Sequence, residues 1–219
     1  MINLILGTDL KLDQSTKLNL NLEDESNRKA LKSIKYMKLP HLKTLGILMS
    51  ENDVEDMNDF IAHSFPDQLQ NFNFVAHYNG EYQNIGDVCD LIGPVLYRVS
   101  NHISIASVDA NSEQINKIVR QSKHCNGLWL WDVKMDLATD LDFSTDIPYK
   151  IKFLCLGGSG HFKRSDWGNN KGELKKIIEA ISKSTLKDSL EEINIYYCGV
   201  AKSEVEQMLI DYTISGIKI

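Results

Sequence analysis

The chain has 219 residues, 42% of them hydrophobic and 25% charged, the composition of a soluble globular domain or a single repeat array. A formal net charge of −6 argues against a whole-surface attraction to nucleic acid or anionic membrane, and no apolar run approaches the roughly 20 residues that a bilayer span needs. Four scattered cysteines (Cys89, Cys125, Cys155, Cys198) form no C-x-x-C pair and predict free thiols in a reducing, cytoplasmic setting without zinc.

The opening residues, MINLILGTDLKLD, lack the basic leader and long apolar stretch of a signal peptide, and residues 1–14 read as a capping strand or hairpin. From residue 15 onward an unusual apolar spacing recurs, with inward residues at positions 1, 4 and 6 of a short segment. It places Leu18 and Leu20, then Leu42, Leu45 and Ile47, then Leu69, Phe72 and Phe74. It continues with Ser100, Ile103 and Ile105, with Cys125, Leu128 and Leu130, and with Ile151, Leu154 and Leu156. The fullest example is LEEINIYYCGV, Leu190 to Val200, and Ile214, Ile217 and Ile219 begin one more unit. First positions fall at 15, 42, 69, 100, 125, 151, 190 and 214, a period of about 28 residues.

Between these segments apolar residues follow steps of three and four, which predicts helices. The inward faces are Leu31, Ile34 and Met37; Val54, Met57, Phe60 and Ile61; Ile85, Val88, Leu91, Ile92 and Val95; and Ile115, Ile118 and Val119. Leu174, Ile177, Ile178 and Ile181, and then Val205, Met208, Leu209 and Tyr212, complete the set. Capping-box spacing marks four starts: Asn52 with Glu55, Asn111 with Gln114, Asn170 with Glu173, and Ser203 with Glu206. The stretch KMDLATDLDFSTDIP has no helical face and predicts an irregular element.

The pattern L-x-x-L-x-L-x-x-C/N-x-L, one strand and one helix per unit, resembles the leucine-rich repeats of the ribonuclease-inhibitor type. The resemblance covers residues 15–219, with Cys198 where the family places Cys or Asn; Ser50, His77 and Ser159 depart from that pattern. It implies an α/β leucine-rich-repeat solenoid of about seven units, a horseshoe segment with a parallel sheet on the concave face and helices on the convex face. Family members include a tight inhibitor, ubiquitin-ligase adaptors and a GTPase-activating protein, so the resemblance implies a mode of binding and not a partner. A doubly wound α/β sheet is the competing architecture, disfavoured by the bent 1-4-6 spacing and the regular period.

Chemistry-bearing motifs are sparse. The segment FLCLGGSGHFKRSDWGNNKGELKKI carries a glycine cluster (Gly157, Gly158, Gly160) ahead of a predicted helix, but matches neither phosphate-loop fingerprint. It reads as a rim insertion whose His161, Lys163, Arg164 and Trp167 are contact candidates. DLDFSTD has the 1-3-5-7 oxygens of a calcium loop at Asp140, Asp142, Ser144 and Asp146, yet Thr145 and Ile151 replace its glycine and bidentate acid. The six histidines match no nucleophile motif. His102 occupies an outward slot.

Positions 3, 5 and 7 of each segment face outward. Early units place small and polar groups there (Thr44, Gly46, Asn71, Asn73), whereas late units place Trp129, Trp131, Phe153 and Tyr196. Clustered outward aromatics mark contact surfaces. The expectation is a non-catalytic protein-binding or scaffold module, without cofactor or metal, binding a protein through these four aromatics and the inserted loop. Two alternatives stand beside it: a phosphate- or nucleotide-binding enzyme using the Gly157–Gly160 loop, and an architectural subunit joined through a C-terminal edge strand. That last strand, ending on Ile219 without a following helix, is expected either to be covered by another chain or to continue a longer array. The sequence carries no signal for oligomeric state.

Overall fold

Inward residues at positions 4 and 6 of each unit can be buried only if neighbouring units stack, and parallel stacking needs a crossover between strands. The computed structural model describes residues 15–34, 36, 38–49, 53–64, 66–76, 83–84, 86–157, 170–196 and 199–219. Its strands are β1 (Lys17–Asn21), β2 (Thr44–Met49), β3 (Leu69–Ala76), the two-residue β4 (Gln83–Asn84), β5 (Val99–Asn111), β6 (Gly127–Asp136), β7 (Phe153–Gly157) and β8 (Glu192–Tyr196). The helices are α1 (Glu25–Ile34), α2 (Val54–Ser64), α3 (Gly86–Leu96), α4 (Ser112–Gln121), α5 (Asn170–Ser182), α6 (Leu186–Ser189) and α7 (Lys202–Asp211). Seven strands lie side by side in chain order, β1-β2-β3-β5-β6-β7-β8, all parallel, with β4 pairing beside β5. The result is one open α/β sheet with a repeat-like alternation of strand and helix.

The hydrogen-bond register follows the apolar spacing. Leu18, Leu45, Phe72, Ile103, Leu128, Leu154 and Ile193 stand opposite one another across the seven strands. Leu20, Ile47, Phe74, Ile105, Leu130, Leu156 and Ile195 form the next row. Apart from the partly buried Ile195, both rows are buried in a single core with the helix faces. Met57, Phe60, Leu91, Ile92, Val95, Ile115, Ile118, Leu174, Ile177, Ile181, Val205 and Leu209 supply the other side of that core. Helices touch their neighbours in turn, α1 with α2, α2 with α3, α3 with α4, and α5 with α7, so they form one layer. No helix among the described residues is long and apolar enough to cross a membrane.

Several expectations shift by a residue or two. Ser100 does not fill its inward slot: Val99, fully buried, pairs with Leu69. The register then slips before Asn71 meets His102, which places one extra residue in β5. Such a bulge leaves the extra residue unpaired and bends the strand. Near the C-terminus Lys218, not Gly216, stands opposite Glu192, so the last unit sits two residues from its expected register. An even slip keeps the same side chains inward: Ile214 is buried, and Ile217 and Ile219 are partly so.

Of the four expected capping boxes, Asn111–Gln114 forms in full, with Gln114 N donating to Asn111 Oδ1 and Asn111 N to Gln114 Oε1. At α7 the returning half comes from Glu204, which accepts from Ala201 N at 3.1 Å, so the helix starts ahead of Ser203. Asn170 is the first residue of α5 itself. Asn52 lies outside the described residues, as do the expected N-terminal cap at 1–14, Met37, Ser50, His77, Ile85, Ser159 and Cys198.

The unit after β6 has no helix. Residues 137–152 run irregularly and bury Leu137, Leu141, Phe143, Tyr149 and Ile151. Side chains stitch this stretch down where a helix would satisfy its own backbone. Ser112 Oγ donates to Thr139 O at 2.7 Å and accepts from Thr139 N, Asn116 accepts from Asp142 N, and the Tyr149 hydroxyl donates to Phe143 O. Lys176 and Thr185 donate to the carbonyls of Leu137 and Ile147. The calcium-like spacing is used up locally, because Asp142 pairs with Arg120 and accepts from Ser144 N.

At the C-terminal end of their first ladder β5 and β6 both bend through a left-handed residue. Ser107 (φ 58°) and Asp132 (φ 55°) sit at matching positions, with Ser107 Oγ donating to Asp132 Oδ2 at 3.4 Å. Small polar residues tolerate this conformation better than branched ones. Beyond the bend, Val108–Asn111 and Val133–Asp136 pair again.

Candidate functional site

Since inward positions face the helices, positions 3, 5 and 7 face the opposite side of the sheet. Among the described residues no helix packs there. The expected outward aromatics lie on this open face. Trp129 is 43% exposed, Phe153 40% and Tyr196 45%, so three large apolar groups on adjacent strands β6, β7 and β8 each leave somewhat under half of their surface in solvent. Trp131 is half-buried.

The two tryptophans diverge. Trp129 meets the ring of His102 on β5 edge-on, with centroids 4.5 Å apart and planes at 89°. Trp131 reaches the other way and meets Tyr196 on β8 at 5.7 Å and 81°. Between β6 and β8 it must pass over β7, and Gly157 makes that possible. A Cβ at Gly157 would lie 2.6 Å from Trp131 Cζ3, closer than side-chain carbons approach. Gly157 is therefore the seat of an indole, and this role is one the glycine cluster did not announce.

A second glycine shapes the surface. In the row Asn71, His102, Gly127, Phe153, Glu192, the middle residue has no side chain. The gap opens a trough of about 660 Å³ lined by Asn71, Asn101, His102, Trp129, Phe153 and Glu192, with Asn126, Lys152 and Asn194 at its margins. A Cβ on Gly127 would sit 3.4 Å from His102 Nδ1 and 3.9 Å from Phe153 Cβ, ordinary contact distances, so the glycine is open to a small side chain and its absence leaves that space to the trough.

The trough is polar toward β3 and ionic toward β8. Asn101 Nδ2 donates to Asn71 Oδ1 at 2.9 Å, and Asn71 Nδ2 donates to Thr44 Oγ1 at 3.2 Å. Lys152 is paired with Glu191 at 2.8 Å. Glu192 accepts from Asn194 Nδ2. Burial lowers the pKa of His102 below its usual value, which favours the uncharged ring. Of the lining residues, Asn101, Asn126 and Lys152 occupy position 2 of their segments, just before the outward slots, and the 1-4-6 spacing gave them no role. Their signal is the polar run shared by the segment starts.

Elsewhere the described residues offer little reactive chemistry. Cys89, Cys125 and Cys155 are buried thiols, and desolvation pushes Cys89 and Cys125 up to about 12, where a thiolate is scarce at neutral pH. Among the described residues no group of three or more His, Cys, Asp or Glu side chains converges as a metal ion would require. The expected loop candidates His161, Lys163, Arg164 and Trp167, with Gly158 and Gly160, lie outside the described residues. No family model matches the chain, and no curated protein matches it significantly.

Proposed function

We propose that the chain is a non-catalytic protein-binding or scaffold module, built as a leucine-rich-repeat solenoid of ribonuclease-inhibitor type whose open sheet face is concave. The observation that carries this reading is the grouping of Trp129, Phe153 and Tyr196 on three adjacent strands of the helix-free face, each 40–45% exposed. Leaving that much aromatic surface in water is unfavourable at about 25 cal/mol per Å², and aromatic groups ringed by polar ones are the usual anchors of protein interfaces. The inserted segment with His161, Lys163, Arg164 and Trp167 belongs to the same proposal as a rim contact.

The test is paired. The wild-type chain and Trp129→Ala/Phe153→Ala are used to isolate partners from native extract, and the captured protein is then purified and titrated against both. The reading expects at least a tenfold loss of affinity in the double variant with a melting temperature within a few degrees of wild type. Equal affinity in both would overturn it.

A second reading, an architectural subunit, is favoured by the C-terminal edge. Among the described residues the far edge of β8 is met by Lys218, which accepts from Ile193 N and donates to Glu191 O, so backbone pairing continues past β8 at this edge. The phosphate-binding reading gains no support at Gly157, whose open side is filled by Trp131.

A further inference from the structure

We propose that the edge of the sheet where β5, β6 and β7 begin is a docking site for a single phosphorylated side chain of a protein partner, its phosphate held by Lys123 and Lys150 beside the His124 ring and the Tyr97 hydroxyl. The site lies apart from the exposed aromatics of the open face and does not rest on the reading given to them.

Charge is the first argument. Seven parallel strands bring every segment that leads into a strand to one edge of the sheet. Between α3 and β5 (97–98), between α4 and β6 (122–126) and in the last four residues before β7 (149–152), these segments carry Arg98, Lys123, His124, Lys150 and Lys152 and no carboxylate. The chain as a whole has a net charge of −6. Lys152 is answered by Glu191 at 2.8 Å, and Arg98 donates to Pro66 O. Lys123 and Lys150 have no ion pair among the described residues. The carboxylates nearest in sequence are engaged elsewhere, Asp142 with Arg120 and Asp146 with Thr145 Oγ1.

Geometry joins the two lysines. Lys150 N donates to Lys123 O at 2.8 Å, so their side chains leave neighbouring backbones. Lys123 Nζ lies 5.2 Å from the centroid of the Tyr97 ring, and Tyr97 meets His124 edge-on at 4.8 Å and 85°. Burial, and then the charges of Lys123 and Lys150, hold the His124 pKa below its usual value, and no carboxylate opposes them. Two unanswered ammoniums match a phosphomonoester, about −1.5 to −2 at neutral pH, better than they match one carboxylate.

Width selects the occupant. β5 and β7 stand two strand spacings or about 9.5 Å apart. Beyond them the entry segments turn acidic, with Asp67 ahead of β3 and Asp188 and Glu191 ahead of β8. A nucleic-acid backbone, with a phosphate about every 3.4 Å along each strand of a duplex, would carry its charges onto those acids, and so would a flat anionic bilayer. One phosphate would not. The edge is open, with Tyr97 53% exposed, and gives a free small molecule little of the enclosure that such ligands use. A side chain carried by a larger partner does not depend on it.

The experiment uses the full chain labelled with ¹⁵N and a capped tripeptide, acetyl-Gly-phosphoserine-Gly-amide, with its glutamate and serine counterparts, a short oligothymidylate and phosphatidylserine vesicles as comparisons. The expected result is saturable movement of the Lys123, His124 and Lys150 amide signals with the phosphopeptide, and a rise in the His124 pKa when it is bound. The glutamate peptide is expected to bind at least fivefold more weakly, and the serine peptide not measurably. Lys150→Gln, at an exposed position, is expected to weaken the phosphopeptide at least fivefold with an unchanged melting temperature. Lys29→Gln on α1, which changes the net charge equally, is expected to leave it unaffected. Equal binding of the phosphoserine and glutamate peptides, indifference to Lys150→Gln, an equal loss in Lys29→Gln, or signals moving elsewhere would each overturn the inference. So would tighter binding of the oligothymidylate or the vesicles than of the phosphopeptide.

Discussion

The first three strands and the last three share one interior and differ only outside. On β1–β3 the inward rows are Leu18, Leu45 and Phe72, then Leu20, Ile47 and Phe74; on β6–β8 they are Leu128, Leu154 and Ile193, then Leu130, Leu156 and Ile195. These sets are interchangeable in kind. Outward, the early strands carry Thr44, Gly46, Asn71 and Asn73, whereas the late ones carry Trp129, Trp131, Phe153 and Tyr196. Alternate residues of the same strand therefore answer to different demands. The inward set meets a stacking requirement that every unit shares, and the outward set is free to vary, so the difference between the two halves is where specificity is sought.

Substitutions can break that contrast. Phe72→Ala in the early half and Leu128→Ala in the late half both empty fully buried sites. Each is expected to lose about 2–5 kcal/mol in urea unfolding, while the outward neighbour Asn73→Ala is expected to stay within about 0.5 kcal/mol. A late-half core residue that tolerated truncation would mean the two interiors are not equivalent.

The helix-free unit sharpens the point, because its backbone depends on side chains. Ser112→Ala removes the hydroxyl that both donates to and accepts from Thr139. Leaving those groups unpaired is expected to cost about 1–3 kcal/mol, read from the same denaturant curves. On the outer surface, Gly157→Ala forces Trp131 from its seat, since the added carbon would meet the indole at 2.6 Å. In the background of Trp131→Ala the same change is expected to be milder. The double-mutant cycle should show a coupling of about 0.5–3 kcal/mol.

The smallest effect concerns pH. Burial lowers the folded-state pKa of His102, so the folded protein binds that proton less readily than the unfolded chain. Its contribution to stability is complete above the ordinary histidine value and is lost as pH falls from there toward the folded-state pKa. Melting temperatures measured from pH 7.5 down to 5 should decline, and His102→Gln should flatten part of that decline.

How much of this was legible in the sequence follows from what each feature depends on. The 1-4-6 rows predicted which residues pair across strands, because burial and register are the same constraint when one face is covered. The bulge that brings Val99 in place of Ser100 was not legible, since one added residue leaves the apolar pattern nearly unchanged. The start of α7 was missed because Ala201–Glu204 and Ser203–Glu206 offer the same spacing, and only the fold decides between them. That Trp129, Trp131, Phe153 and Tyr196 share the open face followed from parity. The opposite directions taken by the tryptophans did not, because they depend on which side chains are missing on neighbouring strands, at Gly127 and Gly157. Cross-strand absences become readable only once the register is known.

Strand order equal to chain order has a consequence for synthesis. Each new strand needs only the strand made just before it, so a nascent chain leaving the ribosome can dock each strand onto a finished template without waiting for distant segments. The aromatic surface, carried by β6–β8, would be assembled on the template that β1–β5 already provide.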